Sequence, residues 1–373
     1  MRHLPHLPPL KAASARLPGM AFAAAVSLPL LLLAMLAVGL LLGTARANAE
    51  IRTVAAPADQ TQATCDGENL AVQLGKTNPE ALAAARAEAA AVPNGDSKLW
   101  KIEKSGVAPS WLFGTMHITD PRVVRMPDAA RTAFDSARTV VIETVDILDP
   151  AKAQAALMAK PELTMFTDGN TLVSFLDEED AKLVESELAN RGIPLALVSR
   201  MKPWMVAGML ALPQCELARK SSGEEFLDIR IANDARRDGK ALLGLESIGE
   251  QMAAMADLPM EFHIRGLVET IRLAELMPDI MATMTELYLQ GEIALIMPTI
   301  LAAGPEANAD DIDGYAEFER RIVVMRNHVM AERSAPILAE GNAFIAVGAL
   351  HLPGEEGLVT LLQQDGFTVT AIR

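Results

Sequence analysis

The chain has 373 residues, of which 50% are hydrophobic and 4% are aromatic, and its formal net charge is −15. This length allows one large domain or two small ones, with enough apolar residues for a core. The abundance of Ala, Leu and Met favours helices packed around a modest sheet. A strongly acidic surface repels phosphate groups, so nucleic acid is excluded as an expected partner.

The first 49 residues differ in composition from the rest of the chain. They contain four basic residues and no acidic residue, and residues 20–42 form an uncharged apolar stretch followed by small residues of the A-x-A type. This is the layout of a secretory signal peptide. The stretch is also long enough to span a bilayer. We therefore expect residues 1–49 to be a signal peptide or a retained inner-membrane anchor, with the remaining chain in the periplasm.

The chain has two cysteines, Cys65 and Cys215. In an exported protein a pair of cysteines is expected to form a disulfide rather than a metal site. The bridge would attach an N-terminal segment, residues 50–97, to the middle of the fold. The wide spacing excludes a redox motif of the C-x-x-C type.

The predicted elements alternate between strands and helices at both ends of the chain. The first part has a helix at 80–92, a hairpin of strands 99–102 and 110–113, a helix at 127–137 and a strand at 139–143. Then follow helices over 150–237, a short buried strand at 241–246, helices over 248–303 and 314–338, a strand ending at Gly348 and a last strand at 366–372. This order predicts an α/β fold, a mixed central sheet flanked by helices with a large helical insertion.

Two of the six histidines close the same short pattern, Gly-x-x-His, after an apolar run. His117 follows the run 111–113 and Gly114, and His351 follows the run 344–347 and Gly348. An apolar run of this kind predicts a buried strand, and the glycine allows a turn or a close approach at its end. Each histidine is therefore expected at a strand exit, where open α/β sheets bind ligands.

Two glutamates share this context. Glu143 and Glu246 each lie at the carboxyl end of a predicted strand, so parallel strands would bring them to the same sheet edge as His117 and His351. Two imidazoles and two carboxylates suit a divalent metal such as Mn²⁺, Co²⁺, Fe²⁺ or Zn²⁺. Such a metal lowers the pKa of a bound water, and one glutamate would remain as general base.

Other roles for these side chains are open at this point. A histidine at a strand end is often an ordinary hydrogen-bonding group. Glu143 and Glu246 could instead accept hydrogen bonds from helix N-terminal amides or pair with an arginine such as Arg326.

Six short segments of the chain carry a resemblance to a known family: Leu99–Ile102, Leu112–His117, Val141–Glu143, Gly244–Glu246, Arg326–Met330 and Val347–Gly357. Together they resemble the TraB/GumN family, which includes the Tiki proteins. The resemblance covers roughly residues 65–373, and its domain is expected over residues 98–373. It implies a fold similar to erythromycin esterase and ChaN-like proteins.

The resemblance also implies a metal-dependent hydrolase, since Tiki members are described as Mn²⁺- or Co²⁺-dependent proteases. His117, His351 and Glu143 are then the expected metal ligands, with Glu246 as a further ligand, and Mn²⁺ or Co²⁺ is preferred to Zn²⁺ or Fe²⁺. Glu143 or Glu246 would act as general base, and Arg326 would neutralise a substrate carboxylate or the developing oxyanion. The expected substrate is a peptide or another small acyl compound.

Two alternatives remain open. The first is a non-catalytic periplasmic protein that binds peptide or glycan and is linked to exopolysaccharide production, as the GumN branch suggests. The second is a carrier of metal or haem.

Overall fold

The computed structural model describes residues 65–304 and 316–373. Six strands form one mixed sheet in the order β4-β3-β5-β2-β1-β6. The strands are β1 (Leu99–Glu103), β2 (Ser110–Thr115), β3 (Thr139–Ile142), β4 (Ala241–Gly244), β5 (Ala343–Gly348) and β6 (Thr368–Ile372). The predicted mixed α/β fold is thereby confirmed.

Fifteen α-helices in the described ranges surround or extend from this sheet. They are α1 (Leu70–Thr77), α2 (Pro79–Ala91), α3 (Asp128–Ser136), α4 (Pro150–Ala159), α5 (Glu178–Asn190), α6 (Leu195–Val198), α7 (Pro203–Ala211), α8 (Gln214–Ser221), α9 (Leu227–Arg237), α10 (Ile248–Ala256), α11 (Met260–Arg272), α12 (Met277–Gln290), α13 (Ile296–Ala303), α14 (Met325–Glu340) and α15 (Leu358–Gln364). A π-helix, Glu319–Val324, directly precedes α14.

Four neighbouring strands of the sheet run parallel. β4 pairs with β3, β3 with β5, and β5 with β2, all in parallel register. The pairs Thr115↔Gly348 and Ile142↔Gly244 place the carboxyl ends of these strands at one edge. β1 is antiparallel to β2, and these two strands form the predicted hairpin. β1 is also antiparallel to β6 on its other side.

The two faces of the sheet are covered by different helices. On one face, α3 and α9 pack on the fully buried Phe344 and its neighbours. On the other face, α14 and α15 pack on Val141, Ile345 and Val347. Because both faces of β3 and β5 are covered, their near-continuous apolar runs fit the composition of buried parallel strands.

The strand predicted at 241–246 is not buried, and that prediction is wrong. β4 is the edge strand of the sheet, and Leu243 is 42% exposed. An apolar run reports how hydrophobic a strand is, but not whether a second strand pairs with its outer side.

The predicted helical insertion is divided into two parts by β4. Helices α4–α9 connect β3 to β4, and helices α10–α14 connect β4 to β5. In the second part, α12 and α13 pack with Met116, Ile118 and Ala349 at the sheet edge. The insertion therefore forms one wall at the carboxyl ends of the strands.

The predicted disulfide between Cys65 and Cys215 is confirmed, with the two Cα atoms 5.4 Å apart. It attaches the segment that leads into α1 to the first turn of α8. The predicted signal peptide or anchor, residues 1–49, and residues 50–64 of the N-terminal segment lie outside the described ranges. Among the residues that are described, no helix has the length and apolarity needed to cross a bilayer.

Candidate functional site

A cleft opens at the carboxyl ends of the parallel strands. His117, Glu143 and His351, three of the four predicted strand-exit side chains, line it together with Arg326 from α14. Glu246 lies behind this surface, in contact with Arg326. All five side chains are buried.

Glu143 is held by three donors. Its Oε1 accepts a hydrogen bond from the backbone N–H of Gly348 at 2.7 Å. Its Oε2 accepts from Arg326 Nη2 at 2.8 Å and from Gln251 Nε2 at 3.0 Å. Burial by itself would raise the pKa of this carboxyl, but the charges of Arg326 and the two histidines and the Gly348 N–H lower it to about 2. Glu143 is therefore a carboxylate at neutral pH.

Position 348 leaves little room for a side chain. A Cβ atom at that position would lie 3.1 Å from Glu143 Oε1 and 3.5 Å from Cδ2 of His351. Gly114, in the first Gly-x-x-His motif, is packed even more closely, since its Cβ would lie 3.0 Å from the Cα of Ala349. The two glycines thus allow the strand ends and their side chains to meet.

Arg326 pairs with both glutamates. Its Nη2 donates to Glu246 Oε2 at 2.7 Å as well as to Glu143, and its Nε donates to Glu246 Oε1 at 3.0 Å. Its Nη1 donates to the carbonyl of Ile322 at 3.2 Å. Burial would lower the pKa of the guanidinium, but the two carboxylates raise it. Four of the five N–H donors of an arginine are thereby used within the protein.

His351 is oriented by Asn327. Its Nδ1 lies 2.7 Å from Asn327 Oδ1, while Asn327 Nδ2 donates to the carbonyl of Glu356 at 2.8 Å. Because the asparagine oxygen accepts here, Nδ1 carries the hydrogen and Nε2 keeps its lone pair. Nε2 lies 3.9 Å from Glu143 Oε1. Burial, followed by the charge of Arg326, lowers the pKa of His351 to about 3.

His117 has the opposite protonation tendency. Its Nε2 lies 3.4 Å from Oδ1 of Asp228, which also accepts a hydrogen bond from the Thr115 hydroxyl at 2.8 Å. Burial lowers the pKa of His117, but Asp228 and then Glu143 raise it, and the result is a pKa above the usual value. The cleft thus contains one imidazole that tends to be protonated and one that tends to be neutral, a combination suited to acid–base chemistry.

Sequence reasoning missed three side chains of the site: Asp228, Gln251 and Asn327. Asn327 follows Arg326 directly and could have been found from the segment Arg326–Met330, which contains both residues. Gln251 lies on α10, five residues after the strand-end Glu246, and donates to both Glu246 and Glu143. Asp228 carries no sequence signal, because α9 packs on the sheet face far along the chain from His117.

The four predicted metal ligands do not form a ready site in this arrangement. In residues 65–304 and 316–373, no three His, Cys, Asp or Glu side chains are grouped closely enough to hold a metal ion. Both oxygens of Glu246 face Arg326, and His117 Nε2 faces Asp228. The donors as placed therefore do not fit a four-ligand metal, and the metal roles of these residues stay predictions.

A family model described as the TraB/PrgY/gumN family matches residues 98–371. Similar curated proteins are metalloproteases by name. Metalloprotease TIKI1 of Danio rerio is 24% identical over 322 residues, covering 74% of this chain and 63% of that protein. Metalloprotease TIKI2 of Danio rerio is 22% identical, covering 74% of this chain and 60% of that protein. The metalloprotease TIKI homolog of Nematostella vectensis is 24% identical, covering 75% of this chain and 68% of that protein.

The chain spans less than two thirds of the length of both Danio rerio relatives. No solved structure matches the chain. The predicted likeness to erythromycin esterase therefore stays a prediction.

Proposed function

The chain belongs to the TraB/PrgY/gumN family, and from this membership and the chemistry of the cleft we propose that it is a hydrolase that cleaves peptides or other small acyl compounds. The metalloprotease names of the relatives support a protease-like role. Those relatives are longer proteins, so their activity is carried to this chain only within this proposal.

One observation carries the proposal: His351 Nε2 and Glu143 Oε1 are two acceptors 3.9 Å apart in the same cleft. A water molecule that donates one hydrogen to each directs a lone pair at a carbonyl bound beside them. When the water oxygen bonds to the carbonyl carbon, its proton passes to His351 Nε2, because the lowered pKa keeps this ring neutral and its lone pair free at neutral pH. The anionic Glu143 offsets part of the effect of burial and of Arg326 on the imidazolium that forms.

His117 is suited to the second proton transfer. Asp228 favours its imidazolium form, so it can donate a proton to the leaving nitrogen or oxygen as the tetrahedral intermediate collapses. The two histidines would then exchange their protonation states, and solvent restores them.

Arg326 and Glu246 have a positioning role in this scheme. Arg326 holds Glu143 ionised and fixed, and Glu246 holds Arg326 from behind. Arg326 has one N–H left, on Nη1. Its predicted role at the oxyanion would depend on that single donor.

A divalent metal is supported by the names of the relatives. Mn²⁺ or Co²⁺ remains the prediction for its identity, with His117, Glu143 and His351 as its first candidates. Because these donors do not fit an ion as they are placed, the steps above use only the side chains. Metal analysis of the purified protein, and its activity after chelation and after added Mn²⁺, tests this prediction.

The proposed site of action is outside the cytoplasm, with a peptide or small acyl substrate, no nucleic acid partner and a possible N-terminal attachment to the membrane. The basic and apolar residues 1–49 and the disulfide support this location.

The first test is digestion of a peptide library by the wild type and by the His351→Ala variant. We expect cleavage by the wild type and a loss of about 10²–10⁴-fold in kcat/KM in the variant, as for removal of a general base. His328→Ala, which alters an exposed histidine paired with Glu356, is the matched control and should keep full activity.

Two results would contradict this proposal. Stoichiometric peptide binding without product would favour the non-catalytic binding protein. Equal cleavage by wild type and His351→Ala would show that the reaction does not take place at this site.

A further inference from the structure

A second concave surface, here called the groove, lies beside the cleft. The groove and the cleft share three lining side chains, Phe318, Val323 and Leu350. Asn327, whose Oδ1 lies 2.7 Å from Nδ1 of His351, also lines the groove. A chain bound along the groove is therefore within one side chain of the proposed general base.

The groove is large enough for a segment of a peptide and is partly apolar. Its volume is about 510 Å³, within the range of about 300–1,000 Å³ that is usual for ligand sites. Its apolar lining includes four half-buried aliphatic side chains: Val92, Met297, Leu301 and Val324. Aliphatic groups of a ligand can lose contact with water against these side chains.

The charged side chains of the groove are mostly acidic. Four glutamates line it, and they come from α2, from the π-helix and from the segment after β5: Glu88, Glu319, Glu355 and Glu356. Arg320 is the one basic side chain among the described residues of the lining, and both oxygens of Glu317 accept hydrogen bonds from it at 2.8 Å. The ratio of four acids to one base exceeds that of the whole chain, 48 to 33. The groove therefore carries a local negative charge.

These carboxylates have little neutralisation from the protein itself. Glu356 lies 3.1 Å from Nε2 of the exposed His328. Within residues 65–304 and 316–373, the other three form no salt bridge. Partial burial, followed by the charge of Glu356, raises the pKa of Glu319. A cation bound in the groove would offset this repulsion between carboxylates.

The arrangement suits several spaced cations better than one metal ion. In the described part of the chain, no three acidic or histidine side chains are grouped closely enough to hold a metal. Ammonium and guanidinium groups on a flexible chain can instead reach carboxylates that come from separate segments.

We propose that the groove binds the chain of a basic peptide substrate, with Lys or Arg and aliphatic side chains near the bond that is hydrolysed in the cleft. The inference rests on the proposed hydrolase function and adds the class of substrate. An acidic peptide or a neutral glycan lacks the charge that this lining complements.

The test uses one peptide series with a constant core of Leu and Ala and with Lys, Gln or Glu on both sides of it. Binding to His351→Ala is measured by calorimetry, and kcat/KM is measured with the wild type. We expect the Lys peptide to be favoured over the Gln peptide by about three- to tenfold in both measurements, as for two exposed ion pairs. The Glu peptide should be the weakest. The advantage of Lys should decrease at high salt, because exposed charges are screened.

The double variant Glu319→Gln with Glu355→Gln removes two of the carboxylates and should bring the Lys/Gln ratio close to one. The matched control is Glu162→Gln with Glu185→Gln. It changes the net charge by the same amount at two exposed glutamates that line neither the groove nor the cleft. The control should keep the preference for Lys.

Equal binding of the Lys, Gln and Glu peptides, or the same loss of preference in both double variants, would overturn the groove proposal and leave the hydrolase intact. Binding with the Lys preference but without product would support the groove and overturn the hydrolase. If the peptides are neither bound nor cleaved, both proposals fail.

Discussion

At the scale of single residues, the two cleft histidines differ because different groups fix their rings. His117 faces the carboxylate of Asp228, and His351 faces the amide oxygen of Asn327. A carboxylate favours the imidazolium, whereas a carbonyl only selects the tautomer of a neutral ring. The two motif histidines therefore have pKa values that are shifted in opposite directions.

Asp228→Asn tests this difference. Without the carboxylate, the raised pKa of His117 should fall, so the imidazolium is lost at lower pH. We expect the alkaline limb of the kcat/KM profile to move down by about one to three pH units, the usual effect of a close opposite charge. Histidine NMR titration of the same variant measures the shift directly.

Asp234→Asn is the control, since Asp234 is on the same helix α9 but pairs with Arg131. An alkaline limb that stays in place in Asp228→Asn, or moves equally in both variants, would refute the role of Asp228.

Gly348→Ala tests the close approach at the second motif. The added Cβ would press on Glu143 Oε1 and displace the carboxylate by a few tenths of an ångström. We expect kcat to fall by about 10–100-fold, because small displacements of reacting groups are costly. Activity is measured alongside the free energy of unfolding.

Gly75→Ala is the comparison for that variant. Gly75 is inside α1, and its Cβ would make only an ordinary contact with Leu82 at 3.6 Å. It should stabilise the protein by about 0.5–1 kcal/mol and leave kcat unchanged. Full activity in Gly348→Ala would show that the site tolerates a side chain there.

At the scale of elements, the chain order of strands and helices was predictable because each strand is a short apolar run with clear turn residues around it. The strand ends then located His117, Glu143 and His351 at one edge, since parallel neighbours end together. The exposure of β4 was not predictable, because its run Ala241–Gly244 is as apolar as a central strand. Position within a sheet depends on pairing, and pairing joins distant parts of the chain.

The π-helix is a second element that the sequence did not reveal. Glu319–Val324 has the composition of an ordinary helix. Its geometry leaves the carbonyl of Ile322 able to accept a hydrogen bond from the side chain of Arg326. Such a bond depends on a partner side chain, so local propensity does not predict it.

At the scale of the whole molecule, the disulfide closes a long loop between the N-terminal segment and α8, with a sequence separation of 150 residues. Cross-linking so long a loop restricts the unfolded chain. We expect Cys65→Ser with Cys215→Ser to lower the free energy of unfolding by about 2–5 kcal/mol. Denaturant titration with and without reductant measures this loss.

The same double variant should keep its kcat at temperatures where it is folded, because neither cysteine lines the cleft. Equal unfolding midpoints for the wild type and the variant would mean that the bridge does not stabilise the fold. A large loss of kcat in the folded variant would instead assign the N-terminal segment a role in the reaction.

The sequence alone was sufficient for the mixed sheet, the disulfide and the meeting of three strand-end residues, because all three follow from local hydrophobic patterns, cysteine number and the geometry of parallel strands.

The tertiary structure decided which side chains pair with these strand-end residues. It placed Arg326 between Glu143 and Glu246, Gln251 across both glutamates, and Asp228 against His117. These contacts depend on how helices of the insertion pack on the sheet. The twin Gly-x-x-His motifs locate the cleft, and the packed helices determine its charges.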